Sequence, residues 1–146
     1  MRRFPPMLAA GAAVFCASLA FANNAMAAKP CDGINRTIDE KSKPDFELEI
    51  TRQLKPQLPD ITSARILQSL SYRNWSVIHV DTQVSDSAFL TFHGSPLADK
   101  YLDLFAGAYS VDDEKFVFDQ LTKGPSKGMP GKLARCFAWR ITRGRD

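Results

Sequence analysis

The sequence predicts an α+β domain, with an antiparallel four- to five-stranded sheet and two helices, stapled by a single disulfide. Several short segments alternate apolar and polar residues or are rich in β-branched and aromatic side chains, which is typical of strands. Two other segments begin with helix-capping residues and end at Pro or Gly. One pair of cysteines in the predicted domain supplies the staple.

The N-terminus has the three parts of an export signal. Arginines at positions 2 and 3 precede an apolar run over 7–21, and alanines at 25 and 27 give the small residues that signal peptidase reads. The run is too short, with these flanks, for a permanent membrane span. We therefore predict a signal peptide over 1–27 and a single domain over 28–146, with no membrane span after cleavage and a periplasmic or secreted location.

Cleavage leaves about 119 residues, which suffices for one hydrophobic core. It removes Cys16, so that Cys31 and Cys136 have one internal pairing in an oxidising compartment. No Cys-x-x-Cys spacing is present, so the predicted disulfide is structural rather than redox-active. The alternatives for this segment are a membrane anchor, a buried core helix, or a lipid anchor on Cys16. Phe15 is larger than the residue that lipoprotein signals place before the cysteine.

Two helices are predicted from capping and breaking residues. The first begins near Ser42 and ends before Pro56, and the second begins after Ser110 and ends at Gly124. The side chains expected to face the core are Phe46, Ile50 and Leu54 in the first helix and Phe116, Val117 and Leu121 in the second.

Strands are predicted for five segments, which are 64–72, 75–81, 88–93, 101–110 and 132–142. Their short connections favour an antiparallel meander, with Arg73-Asn74 as a two-residue turn in which Asn takes positive φ. We expect Ile66, Leu70 and Tyr72 to share one face of the first strand, and the helices to pack on one face of the sheet. In the last segment the residues expected on one face are Leu133, Phe137, Trp139 and Ile141.

Charge is unevenly distributed. Removal of the two N-terminal arginines lowers the formal net charge from +3 to about +1. The charged side chains of residues 81–119 are mostly acidic, whereas those of residues 123–145 are all basic. Such asymmetry indicates either a patch for a charged partner or contact between the two segments within the chain.

His79, Asp81 and His93 are weak catalytic candidates. His79 and Asp81 stand two residues apart on a strand and therefore share a face, so Asp81 could orient His79 as a general base. His93 would approach them if the two strands pair. The alternative is that both histidines are ordinary strand residues. No metal-ligand spacing, serine-nucleophile motif or phosphate loop occurs in the sequence, so no metal, cofactor or catalytic set is predicted.

Arg73, Asn74 and Trp75 are the predicted binding residues. An aromatic side chain near a hairpin tip can anchor a partner, although it can also fold back on the sheet. The aromatic residues among the C-terminal basic ones fall on the apolar strand face, and the protein is expected outside the cytoplasm. We therefore expect no nucleic-acid partner.

These observations favour an exported periplasmic binding protein without catalysis, of the kind that inhibitors and immunity proteins represent, acting on another protein of the cell envelope. One alternative is a small secreted hydrolase that uses His79 and Asp81. The other is a small-molecule or lipid carrier. The side chains expected to line its pocket are Phe89, Phe92, Phe105 and Phe116.

Overall fold

The structure is a computed structural model that describes residues 29–144. The predicted signal peptide lies outside the described residues. In chain order the elements are helix α1 (Lys43–Leu54), strands β1 (Arg65–Tyr72), β2 (Trp75–Asp81), β3 (Ala88–His93) and β4 (Asp103–Ala106), a 3₁₀ turn (Val111–Asp113), and helices α2 (Glu114–Lys123) and α3 (Gly131–Arg143).

The four strands form an antiparallel meander in the order β1-β2-β3-β4, which confirms the predicted α+β class. The β-branched and aromatic residues between turn signals predicted the bounds of β2 and β3 correctly. The β1–β2 connection is the expected two-residue turn, but its positive φ falls on Arg73 (56°) and not on Asn74. Arg73 is thus a non-glycine residue in the left-handed region, which ordinary side chains seldom adopt.

A β-bulge in β1 changes which face its side chains occupy. The register to β2 shifts between Ile66 and Gln68, which leaves Leu67 as the extra residue. Ile66 therefore packs on one face of the sheet, while Leu70 and Tyr72 pack on the other. The prediction that Ile66 shares a face with Leu70 and Tyr72 was wrong, because one inserted residue reverses the alternation.

The segment predicted as a fifth strand is helix α3. Leu133 and Phe137 stand four residues apart, a spacing that fits both a strand face and a helix face, so the apolar pattern is ambiguous there. The helical period is decided by the wider set of side chains that are buried in α3, which are Leu133, Ala134, Cys136, Phe137, Ala138 and Thr142. The sheet therefore has four strands, within the predicted four to five, and the fold has three helices where two were predicted.

Helices cover both faces of the sheet, so the expectation of one covered face was wrong. On one face α2 and α3 pack over residues such as Val77 and Phe105. On the other, Ile50 of α1 packs over residues such as Ile78 and Leu90. The cause is visible in β2, where successive residues are buried on opposite faces, as in strands that lie between two apolar layers.

The predicted capping box caps the 3₁₀ turn that leads into helix α2. The backbone N–H and the hydroxyl of Ser110 both donate to Oδ2 of Asp113, at 2.7 and 2.8 Å. Val117 and Leu121 are buried as predicted, whereas Phe116 is 55% exposed. Phe116 is off the core face because it precedes Val117 by one residue, about 100° around the helix.

The predicted disulfide joins Cys31 to Cys136 across a sequence separation of 105 residues. Both cysteines are buried, so the bond fixes the N-terminal segment directly against α3. The backbone groups of Asn35 then pair with those of Ser71 at the edge of β1, at 2.8 and 2.9 Å. Between residues 29 and 144, no helix is long and apolar enough to cross a membrane.

The basic C-terminal segment meets the acidic one within the chain. Nη2 of Arg143 in α3 lies 2.8 Å from Oε2 of Glu114 in α2. Within α2, the side chains of Lys115 and Lys123 both pair with Asp119, at 2.6 and 2.9 Å. These contacts favour the internal explanation of the charge asymmetry for these side chains.

Replacing both bridged cysteines tests the staple. We expect C31S/C136S to lower the free energy of unfolding by about 4–5 kcal/mol, since closing a loop this long restricts the unfolded chain most. Urea denaturation of the variant and of oxidised wild type measures the difference. A loss below about 1 kcal/mol would show that the bond does not restrain the unfolded state in this way.

Two phenylalanines form a matched pair for the core. Phe137→Ala should lower the free energy of unfolding by about 3–5 kcal/mol, because the fully buried ring contacts Phe89 and Phe105. Phe116→Ala should change it by less than about 0.5 kcal/mol, because its side chain is exposed. Chemical denaturation of both variants checks this, and similar losses would contradict the placement of Phe137 in the core and of Phe116 at the surface.

Candidate functional site

A cleft of about 530 Å³ opens between the sheet and the last turn of α3. Its walls come from β1 to β3, from the segment that follows β4, and from the end of α3. The polar side chains in its lining are Gln68, His79, Ser87, Tyr109 and Arg140. The bulge at Leu67 brings Gln68 opposite His79 in the ladder, and the β2–β3 register places His79 opposite Phe89.

His79 is held in place by an aromatic stack. Its ring lies nearly parallel to that of Phe89, at 10° and with centroids 4.0 Å apart. Phe89 in turn contacts Phe137 of α3, with centroids 5.0 Å apart. A cross-strand pair of this kind stabilises the sheet and fixes the orientation of the imidazole.

The imidazole of His79 is neutral at pH 7, and one of its nitrogens lacks a hydrogen-bond partner in the described part of the chain. Burial lowers its pKa below the usual 6.5, the positive charge of Arg140 lowers it further, and Asp81 opposes both. Nε2 is buried and has no hydrogen-bond partner within residues 29–144. Such an atom costs about 1–3 kcal/mol when it is left unpaired. Because His79 lines the cleft, a ligand that displaces its ring slightly could bond to this atom.

Asp81 does not form a hydrogen-bonded pair with His79. Its Oδ2 accepts a hydrogen bond from Nη2 of Arg65 at 3.0 Å, and its Oδ1 accepts one from the backbone N–H of Gln83 at 3.0 Å. Arg65 stands directly opposite Asp81 in the β1–β2 ladder, which explains the ion pair. Asp81 therefore acts on His79 through its charge and does not orient the ring.

The two histidines share a face of the sheet but do not meet. His93 is opposite Trp75, and His79 is opposite Phe89, so they are four positions apart along the strands, or about 13 Å. His93 instead packs against Trp75, with ring centroids 4.7 Å apart. The described part of the chain contains no group of three or more His, Cys, Asp or Glu placed to hold a metal ion.

The predicted binding residues lie at the hairpin end of the sheet, away from the cleft. Trp75 folds back onto the sheet, is 9% exposed and belongs to the core. Arg73 and Asn74 are exposed. The guanidinium carbon of Arg73 and Nζ of Lys132 lie 5.4 and 5.3 Å from the centre of the Tyr72 ring. That Arg73, Asn74 and Trp75 bind a partner stays a prediction.

The four phenylalanines assigned to a carrier pocket do not share one. Phe89 and Phe105 pack on the α3 face of the sheet, and Phe92 is buried on the α1 face. Phe116 is exposed on α2. Of the four, Phe89 lines the cleft around His79.

Sequence reasoning found His79 but missed Arg140 and Tyr109. In the predicted strand Arg140 falls on the face opposite Phe137, whereas in α3 it stands in the last turn and lines the cleft. A helical interpretation of residues 131–143 would have placed it about one turn beyond Phe137. Tyr109 follows β4, and burial, together with the charges of Asp103 and Asp113, raises the pKa of its phenol.

The buried state of His79 predicts a dependence of stability on pH. Since the folded-state pKa lies below 6.5, the unfolded chain binds the proton first as pH falls. Stability should therefore decrease below about pH 6.5, and His79→Gln should lack that contribution. Urea denaturation at about pH 7.5 and 5.5 measures it, and NMR titration should give an imidazole midpoint below 6.5. Equal losses of stability in the two proteins would contradict the buried neutral imidazole.

Comparison with known proteins gives no functional assignment. The chain matches no protein-family model, and no curated protein or solved structure is significantly similar to it.

Proposed function

We propose that this chain is an exported, non-catalytic protein that binds another protein of the cell envelope, in the manner of an inhibitor or immunity protein. We further propose that the His79 cleft receives part of the partner. The observation that carries the proposal is a surface cleft lined by His79, whose Nε2 is buried and has no hydrogen-bond partner among residues 29–144. A group from a partner that bonds to this atom would remove the energetic penalty of leaving it unsatisfied.

Binding is favoured over hydrolysis by the position of Asp81. A histidine base works best when a carboxylate or another acceptor holds its second nitrogen. Both carboxylate oxygens of Asp81 are engaged by Arg65 and Gln83, and no carboxylate lines the described walls of the cleft. The hydrolase alternative would require Asp81 to exchange these contacts for one with His79.

A protein partner is favoured over a lipid by the shape and rim of the cleft. The phenylalanines expected to enclose a lipid are distributed over both sheet faces, so they offer no shared apolar cavity. The rim carries Leu67, which is 48% exposed, and Ala108, which is exposed. A partner that inserts one side chain into the cleft would also cover this rim, as interfaces built around a central pocket do.

Filling the cleft tests the proposal. The protein is expressed from its full coding sequence and used to capture partners from an extract of its own cell envelope at moderate salt. Quantitative mass spectrometry then measures the captured proteins. We expect one near-stoichiometric protein with wild type, and at least about tenfold less with Ala108→Trp, because the indole would occupy the cleft. Ala98→Trp is the matched control, since Ala98 is also exposed but lies in the β3–β4 connection outside the cleft.

Two results would contradict the proposal. Equal capture by Ala108→Trp and Ala98→Trp would move the binding surface away from the cleft. An absence of any stoichiometric protein, with wild type still folded, would count against a protein partner altogether.

A further inference from the structure

We infer that the group received by the His79 cleft is a carboxylate carried on an apolar or aromatic body. This inference rests on the proposed binding function and specifies the chemistry of the same site. The first support is the balance of donors and acceptors in the lining. The chain has 16 acidic residues, yet none lines the described walls, whereas Arg140 places a positive charge there. An anion is therefore favoured over a cation or a neutral group.

The side chains available suit a monoanion with two acceptor oxygens. Nε2 of His79 can donate one hydrogen bond when it carries the proton of the neutral ring. Arg140 lines the same cleft and brings positive charge to it, whatever else its side chain contacts. A phosphate dianion would call for more cations than this wall provides.

The apolar part of the lining defines the rest of the ligand. The stacked rings of His79 and Phe89 form one wall, and Leu67, Ala108 and Ile141 contribute aliphatic surface. Burial of a hydrocarbon or aromatic body against these groups would add affinity to that of the charge alone. A carboxylate on such a body occurs in the acidic side chains of proteins and in free organic acids.

Proton uptake should accompany binding. The charged and titratable groups around the imidazole are Arg140 on α3, Asp81 on β2 and Tyr109 after β4. A carboxylate bound at Nε2 adds a negative charge beside His79, which favours the imidazolium form. Because His79 is neutral at pH 7 before binding, affinity for a carboxylate should rise as pH falls below about 6.5.

The negative end of the α3 dipole opposes an anion at this place. Two features reduce this effect. The backbone carbonyl of Arg140 accepts a hydrogen bond from the N–H of Gly144 at 2.9 Å, so it does not point unpaired at the cleft. The side chains of Arg140 and Arg143 also bring positive charge to the last turn.

Benzoate and benzamide are the probes, because they share shape and differ in charge. Each is titrated into isotopically labelled protein that is expressed from the full coding sequence. The NMR signals of His79 and Phe89 report binding. We expect benzoate to bind with a dissociation constant of about millimolar and benzamide at least about tenfold more weakly. Benzoate affinity should increase about threefold or more from pH 7.5 to 5.5.

Three variants assign the effect to the cleft. His79→Gln keeps an amide donor that does not titrate, so it should still bind benzoate but lose the pH dependence. Arg140→Gln should weaken binding about tenfold, with Arg140→Lys retaining most of it if charge is what matters. His93→Gln is the matched histidine control and should behave as wild type, because His93 lies outside the cleft. A cooperative urea transition at each pH used confirms that each variant is folded.

The inference is overturned if benzamide binds as tightly as benzoate, if affinity does not rise at low pH, or if His93→Gln acts like His79→Gln. Competition separates it from the proposed function. Displacement of a captured protein by benzoate would show that the partner supplies the carboxylate. Benzoate binding with no protein captured would support the carboxylate site, assign its ligand to the free organic acids, and reject the protein partner.

Discussion

The docking of α3 onto the sheet is the interaction on which the rest of this structure depends. Phe137 lies fully buried at its centre and contacts rings from two strands, Phe89 and Phe105. The neighbouring Cys136 carries the disulfide that holds the N-terminal segment. One helix therefore closes the core, anchors the start of the described chain and forms a wall of the cleft. Side chains in its last turn are positioned because its middle is tightly packed.

The cleft also depends on an irregularity in the sheet. Without the extra residue at Leu67, the alternation of β1 would reverse, and the residue opposite His79 would change. The bulge thus combines two roles, since it points Ile66 toward the α1 core and Gln68 toward the cleft. Bulges are frequent at sheet edges and near functional sites, where they redirect a side chain without disturbing the rest of the ladder.

The sequence could predict those parts of the fold whose pattern of side chains fits a strand or a helix but not both. In β2 and β3, β-branched and aromatic residues between turn signals gave the correct bounds, and the two cysteines left one pairing. In α3, the four-residue spacing of Leu133 and Phe137 fits both periods, and only tertiary packing decides between them. The same ambiguity concealed Arg140, because a strand and a helix direct its side chain differently. The sequence identified the histidine of the site but not the cation that stands beside it.

The position of His79 is poorly explained by stability alone. Phe89 could stack on an aromatic hydrocarbon side chain as well as on an imidazole, and such a side chain would leave no polar atom unpaired. The ring in place is instead polar, neutral and next to a guanidinium that further disfavours its charged form. Departures from the most stable arrangement are expected where function requires them, and binding of a complementary group would offset this one. A carboxylate is such a group. It accepts a hydrogen bond from Nε2, and its negative charge lowers the repulsion between His79 and Arg140 once the imidazole gains a proton.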